Sequence, residues 1–174
     1  MRSRIKRVLL GVIVVGILSN LFGCTPFMRT SKTSDHDKEM LEILLTSLNM
    51  QDADAITALY SPAVLAADNN IDDGILYLYQ MFVGTVTETD RTGVNESKSV
   101  DVGSVIEIVD SNFTVTTDAN EYRFFFKWCS RNDPNPEEIG LIKLQVILAS
   151  EEYSESNRSY FEDENVVPGI YVPS

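Results

Sequence analysis

Few side chains in this sequence have the types and spacing that catalysis or metal binding requires. The first candidates are the two cysteines and the single histidine. Cys129 lies in an apolar, strand-like segment, whereas His36 lies in a polar segment far from it along the chain. A catalytic thiol needs a base within hydrogen-bond reach, and nothing in the sequence pairs these two residues. We therefore predict that Cys129 is a buried structural residue and that His36 is exposed to solvent.

The acidic residues offer no better case for a metal or a cofactor. Asp35, His36 and Asp37 are of ligand type, but three successive residues of a helix point in different directions. The acidic residues in 151–152 and 162–164 lack the spacing of a calcium-binding loop, and no glycine motif for phosphate or dinucleotide binding occurs. The sequence thus predicts no metal site and no cofactor.

Cys24 has a different setting, because it follows a leader-like segment. Residues 1–7 contain four basic residues, and residues 8–18 are apolar apart from two glycines. Such a run is shorter than the roughly 20 residues of a membrane-spanning helix and is typical of a secretory signal. Leu21, Phe22, Gly23 and Cys24, which come next, resemble the lipobox of bacterial lipoproteins. That resemblance implies a diacylglyceryl thioether on Cys24 and cleavage just before it; a plain signal peptide or an uncleaved anchor is the alternative.

The net charge is −12, and because residues 1–23 hold four basic and no acidic residues, the rest of the chain carries −16. A body this acidic repels phosphate backbones, so we predict no nucleic-acid partner. We predict a membrane contact through the lipid on Cys24, at the outer face of the cell membrane, and an acidic body held in water beyond it.

The chain is predicted to have three parts: a signal peptide over 1–23, a lipidated tether over 24–34 and a single domain over 35–174. Leucines recur at helical spacing at the start of the domain, and capping residues mark further helices. The predicted helices cover 35–50, a segment capped by Asp52, 62–68 behind Ser61 and Pro62, and 71–82 ahead of Gly84.

The second half alternates with a period of two, which is typical of strands. The predicted strands cover 100–108, 113–117, 122–130 and 139–150, with 83–90 as a candidate and 166–172 as a final extended piece. Turns are predicted at 110–112 and 118–120. Short turns favour antiparallel neighbours. The fold class is therefore predicted as α+β, with N-terminal helices packed on an antiparallel sheet.

Residues 52–61 (DADAITALYS), 71–84 (IDDGILYLYQMFVG) and 168–172 (PGIYV), together with the lipobox, resemble an uncharacterised family of Gram-positive lipoproteins known only as a domain of unknown function. The order of helices and strands resembles the nuclear-transport-factor-2-like, or cystatin-like, cone. This resemblance implies a curved antiparallel sheet wrapped around a helix.

A cone fold can leave a pocket, and aromatic residues of the helices and strands are the candidates to line it; packing in the core is the other role open to them. These candidates are Tyr60, Tyr77, Phe82, Phe124, Phe126 and Trp128. Our first hypothesis is a non-catalytic domain that binds an envelope protein or a small apolar ligand and has no buried carboxylate. The alternative is an isomerase or hydratase with a buried acid or base facing Tyr60 or Tyr77. A purely structural scaffold is a third possibility, and no catalytic residue is predicted.

Overall fold

The computed structural model describes residues 33–67, 70–151 and 168–172 of the chain. The predicted leader 1–23, Cys24 and residues 25–32 of the tether lie outside the described residues. Within the described ranges, all the α-helices precede the sheet along the chain. They are α1 (Thr33–Met50), α2 (Ala53–Thr57), α3 (Pro62–Ala67) and α4 (Ile71–Met81).

Local sequence explains where α2 and α3 begin. The Asp52 carboxylate accepts a hydrogen bond from the Ala55 amide at 3.0 Å, which satisfies one of the free amides at the start of α2. The Ser61 hydroxyl accepts one from the Val64 amide at 3.3 Å, just ahead of Pro62, a residue suited to the first helical position. Both predicted helix starts are confirmed.

The sheet described in these ranges has the strands β1 (Val86–Asp101), β2 (Ser104–Thr117), β3 (Glu121–Asn132), β4 (Gly140–Leu148) and β5 (Gly169–Ile170). They lie side by side in chain order. The first four are antiparallel neighbours, and β5 runs parallel to β4. Short 3-10 helices at Pro136–Glu138 and Ala149–Glu151 flank β4. The sheet is curved and unclosed, so the predicted α+β class with N-terminal helices is confirmed.

The boundary between β1 and β2 differs from the prediction. A turn at Val102 and Gly103 divides the predicted strand 100–108, and the predicted turn 110–112 lies inside β2. Val102 and Gly103 have φ values of 45° and 85°, as a two-residue hairpin turn requires. A β-branched residue rarely adopts this conformation, so the sequence at 102 carries no turn signal. Inside β2, Ser111 is buried and its hydroxyl donates to Asp37, which explains a polar residue there.

Strand β1 is much longer than the candidate segment 83–90. It is 16 residues long, and its side chains are exposed or half-buried along its whole length. A strand with both faces exposed to solvent has no alternation of apolar and polar residues. Because alternation is the signal by which strands are recognised, most of β1 was not predicted.

One face of the sheet, which we call the inner face, packs against the helices and forms the core. From β2 and β3 it contributes Val109, Phe113, Val115, Tyr122, Phe124, Phe126 and Trp128. A helical stripe of Leu41, Leu44 and Leu48 in α1 joins the same cluster, because residues three and four apart share one side of a helix.

Candidate functional site

The aromatic row of β3 lies in the centre of the core. Phe124 and Phe126 have no solvent-exposed surface at all. Their ring centroids lie 6.3 Å apart, and the Phe82 ring packs edge-on against Phe124 at 5.7 Å. These are normal separations for aromatic pairs in a core. Side chains with no exposed surface line no cavity that a water molecule can enter, so Phe124 and Phe126 contribute packing in this structure.

The other predicted pocket residues belong to the same cluster or pack against it. Tyr60 and Trp128 are buried, whereas Tyr77 and Phe82 are half-buried at its rim. Tyr60 forms an isolated parallel bridge with Leu141 at the start of β4. The structure therefore brings all six predicted residues to one core, and their use as pocket lining stays a prediction.

Tyr77 lies at the edge of this core, near the C-terminal part of the described chain. Burial raises the pKa of its hydroxyl, and the Glu151 carboxylate and Tyr171 raise it further. Each of these effects keeps the phenol protonated near neutral pH. Tyr77 thus has the surroundings of a neutral hydrogen-bonding group and not those of a general base.

Asp37 was not predicted as a site residue, yet its carboxylate is fully buried. The expectation that the domain has no buried carboxylate is therefore wrong. Arg91 Nη1 lies 3.1 Å from Oδ2 and 3.2 Å from Oδ1. The Ser111 hydroxyl donates to Oδ2 at 3.0 Å, and the Lys38 amide donates to Oδ1 at 2.8 Å. A carboxylate has about four acceptor positions, and these contacts occupy all of them. Asp37 therefore fastens α1 to β1 and β2 and has no lone pair left for a substrate.

Sequence reasoning missed Asp37 because its partners are remote. Arg91 and Ser111 lie 54 and 74 residues further along the chain. From its sequence neighbours alone, Asp37 is interpreted as an acidic residue in the first turns of a helix, where the helix dipole favours it. No short-range signal distinguishes that position from a buried ion pair.

Cys129 and His36 behave as predicted. The Cys129 side chain is buried, its thiol donates to the Arg131 carbonyl at 3.3 Å, and burial is the main cause that raises its pKa. His36 is about half exposed, lies 3.3 Å from a Glu39 carboxylate oxygen and stacks at a tilt on Trp128 at 4.8 Å. The buried thiol lies on β3 and the surface imidazole on α1.

Two wider features of the described residues bear on the site. No group of three or more histidine, cysteine, aspartate or glutamate side chains there is arranged to hold a metal ion. No helix among the described residues is long and apolar enough to cross a membrane.

Several exposed apolar residues lie on a hairpin that we call the distal hairpin and define as residues 93–108 of β1 and β2. Val94, Val100 and Val102 are 45%, 63% and 99% exposed. Between the valines, Lys98 Nζ lies 2.6 Å from Glu107 Oε1 across the two strands. The β1 arm and the turn of the hairpin thus present apolar side chains and a charged pair to solvent, whereas residues 106–108 of its β2 arm pair with β3.

The chain matches one family model, described as Domain of unknown function (DUF5104), over residues 43–150. The match runs from within α1 to the end of β4, and it includes the distal hairpin. No curated protein matches the chain. Because the family model covers more than half of the sequence, the chain belongs to the family described as Domain of unknown function (DUF5104).

Proposed function

We propose that this protein is a lipoprotein held at the outer face of the cell membrane by acyl chains on Cys24, and that its folded part is a non-catalytic domain that binds another envelope protein. The observation that carries the binding role is Val102, which is 99% exposed in a left-handed conformation at the tip of the distal hairpin. Strained residues cluster at functional sites more often than elsewhere.

The anchor is supported by the sequence around Cys24. An apolar run of about 11 residues is too short to span a bilayer as a helix, so a secreted domain needs another attachment. One acyl chain holds a protein only marginally, whereas two or three chains on one cysteine give stable attachment. A lipid on Cys24 also leaves Cys129 as the one remaining thiol.

The binding role is supported by where the exposed apolar residues lie. Single exposed valines are common on soluble proteins, but here three lie along one hairpin. Four of the six aromatic residues that a small apolar ligand would contact are buried in the core, and only Tyr77 and Phe82 are half-buried. A protein partner that docks on the hairpin is therefore better supported than a small ligand in the core.

The isomerase or hydratase alternative has less support. It needs a buried acid or base that faces Tyr60 or Tyr77. The buried carboxylate of the described residues, Asp37, instead accepts from Arg91 with both its oxygens and from Ser111 with Oδ2.

For the fold, we propose the nuclear-transport-factor-2-like cone. The proposal is supported by N-terminal helices on one face of a curved, unclosed sheet. It predicts that a solved structure of the domain superposes on such cones over α4 and β1–β4.

The anchor is tested by mass spectrometry of the native protein from a membrane fraction. We expect an N-terminal peptide that begins at Cys24 and carries acyl groups, and we expect Cys24→Ser to yield unprocessed, unacylated chain. Native protein without acyl groups, or with residues 1–23 retained, would refute the anchor.

The binding role is tested with a photoreactive amino acid placed at Val102 in living cells. Leu76 of α4, which is 56% exposed, is the matched control away from the hairpin. We expect a covalent adduct with a different envelope protein from position 102 and none of that adduct from position 76. Equal adducts from both positions, or no heterologous adduct from 102, would contradict the proposal.

A further inference from the structure

Strand β1 lies at the edge of the sheet, and part of that edge is unusually regular. β1 pairs with β2 on one side, and the described strands place no neighbour on its other side. A register irregularity falls between Arg91 and Gly93, and the hairpin turn begins at Val102. The uninterrupted part of the edge is therefore 93–101, and its central residue is Ser97.

We infer that two copies of this chain pair antiparallel along this edge, with Ser97 opposite Ser97 of the second copy. In this register Glu96 lies opposite Lys98 of the second copy, and Val94 lies opposite Val100. By symmetry each of these pairs forms twice. Opposite charges and β-branched pairs directly across a sheet are stabilising, and these four side chains are exposed before pairing.

The backbone supports the same register. Along an antiparallel strand, residues bonded to one neighbour alternate with residues whose amide and carbonyl point the other way. The two-residue turn closes on Asp101 and Ser104, which bond to each other. Every second residue before Asp101, which includes Ser99 and Ser97, therefore also bonds to β2. The backbone amides and carbonyls of the even-numbered residues between 94 and 100 point to the free edge instead. When the pair is centred on Ser97, even-numbered residues of one copy lie opposite even-numbered residues of the other. Their free amides and carbonyls can then form about eight interchain hydrogen bonds.

Neighbouring registers are disfavoured by charge. Centring the pair on residue 96 places Glu96 opposite itself, and centring it on residue 98 places Lys98 opposite itself. Like charges directly opposite each other are destabilising. In a register that places even-numbered residues opposite odd-numbered ones, the free amides and carbonyls of one copy face residues of the other copy that already bond to β2. The sequence 94–100 (VNESKSV) therefore selects one register among the close alternatives.

This pairing goes beyond the proposed function, because it depends on β1 and not on the lipid or on a heterologous partner. An exposed edge strand is a template for pairing with another chain. Anchoring on one membrane would raise the local concentration of the chain, which favours the pair without being required for it.

A pair of cysteine variants tests the register. In non-hydrogen-bonded antiparallel pairs the Cα atoms lie about 4.5 Å apart, within the range of about 4.4 to 6.8 Å that a disulfide accepts. Ser97→Cys should therefore give a disulfide-linked dimer on mild oxidation. Ser99→Cys is the matched control, because it has the same exposure, strand and face, but its counterpart in the second copy lies about 14 Å away. The full-length chain in mild detergent is used, with Cys24→Ser to remove the thiol at position 24.

Charge exchange tests the pairing without a covalent link. Both variants are made in the same full-length background. E96K places two basic residues opposite each other at positions 96 and 98 of the dimer. K98E combined with E107K places two acidic residues there. The second variant preserves an opposite-charge pair across β1 and β2. We expect each variant alone to sediment as a monomer and their mixture to sediment at twice the monomer mass, because acidic residues then face basic ones.

The inference is overturned if the wild-type chain remains monomeric at every concentration reached, or if Ser99→Cys cross-links as fast as Ser97→Cys. It is also overturned if E96K dimerises as the wild type does, or if the two charge variants do not associate on mixing. A chain that binds a heterologous protein at the hairpin but gives these results would retain its proposed function and lose the inferred self-pairing.

Discussion

Asp37 of α1 and Arg91 of β1 form an ion pair 3.1 Å long in which the aspartate side chain is wholly buried and the arginine side chain is 25% exposed. The contact joins the first helix to the edge strand across 54 residues of chain. Removing a charge from water is costly, and a buried pair repays that cost only with good geometry and further hydrogen bonds. Here Ser111 and the Lys38 amide supply those bonds.

We expect Arg91→Met to destabilise the domain by about 3 kcal/mol, because it leaves a buried carboxylate without its countercharge. The free energy of unfolding in urea measures the effect. Arg131→Met is the control, since Arg131 pairs with Asp133 at 2.7 Å on the surface, where an ion pair contributes little. Equal losses for the two variants would show that Asp37 is not a structural anchor.

Two tyrosines allow a matched test of hydrogen bonding. The Tyr122 hydroxyl accepts from the Val83 amide at 2.9 Å and donates to the Met81 carbonyl at 3.1 Å. The buried Tyr79 hydroxyl has no hydrogen-bond partner among the described residues. We expect Tyr122→Phe to cost about 2 kcal/mol of unfolding free energy, because it leaves the backbone groups after α4 unsatisfied. Tyr79→Phe should change stability by less than about 0.5 kcal/mol or increase it. The reverse order would contradict the described hydrogen bonds.

The buried thiol of Cys129 predicts a dependence of stability on pH. Burial raises its pKa above the ordinary value of 9.0, so the contribution is complete below that value and is lost as pH rises toward the pKa of the folded state. We expect wild-type stability to fall more steeply above about pH 9 than that of Cys129→Ala. Urea unfolding of both proteins over the same pH series isolates the thiol from other titrating groups. Identical slopes would mean that the thiol is not buried.

The hairpin tip should be strained. Val102 has a φ of 45°, a conformation that costs a residue with a Cβ about 1 kcal/mol or more. Asn is far better suited to this turn, so we expect Val102→Asn to raise the unfolding free energy by about 1 kcal/mol. Val100→Asn, at an exposed position of β1 next to the turn, should give no such gain. A destabilised Val102→Asn would show that the valine makes a favourable contact.

Some elements could be predicted from sequence because their apolar residues repeat with a clear period. The starts of α2 and α3 follow from Asp52 and Ser61, which cap them. The β3 row was recognisable because aromatic residues occupy every second position from 122 to 128, and these residues face one core. In each case the signal lies within one element.

The remainder could not be predicted because its cause lies outside the local sequence. Strand β1 has no buried face, so it shows no alternation, and the turn at Val102 uses a residue that prefers strands. Residues 110–112 are of turn type, yet they continue β2 because Ser111 is buried against Asp37. The ion pair between Asp37 and Arg91 is a tertiary contact between residues 54 positions apart. The sequence around either residue therefore does not predict it.

Strand β5 has a consequence for the order of assembly. Gly169 and Ile170 pair with Lys143 and Leu144, and Ile170 packs so closely on α4 that a methyl group at Gly74 would lie 2.5 Å from its Cβ. During translation, α4 emerges from the ribosome long before the residue that covers it. A chain that ends before residue 169 therefore leaves the surface of α4 around Gly74 uncovered.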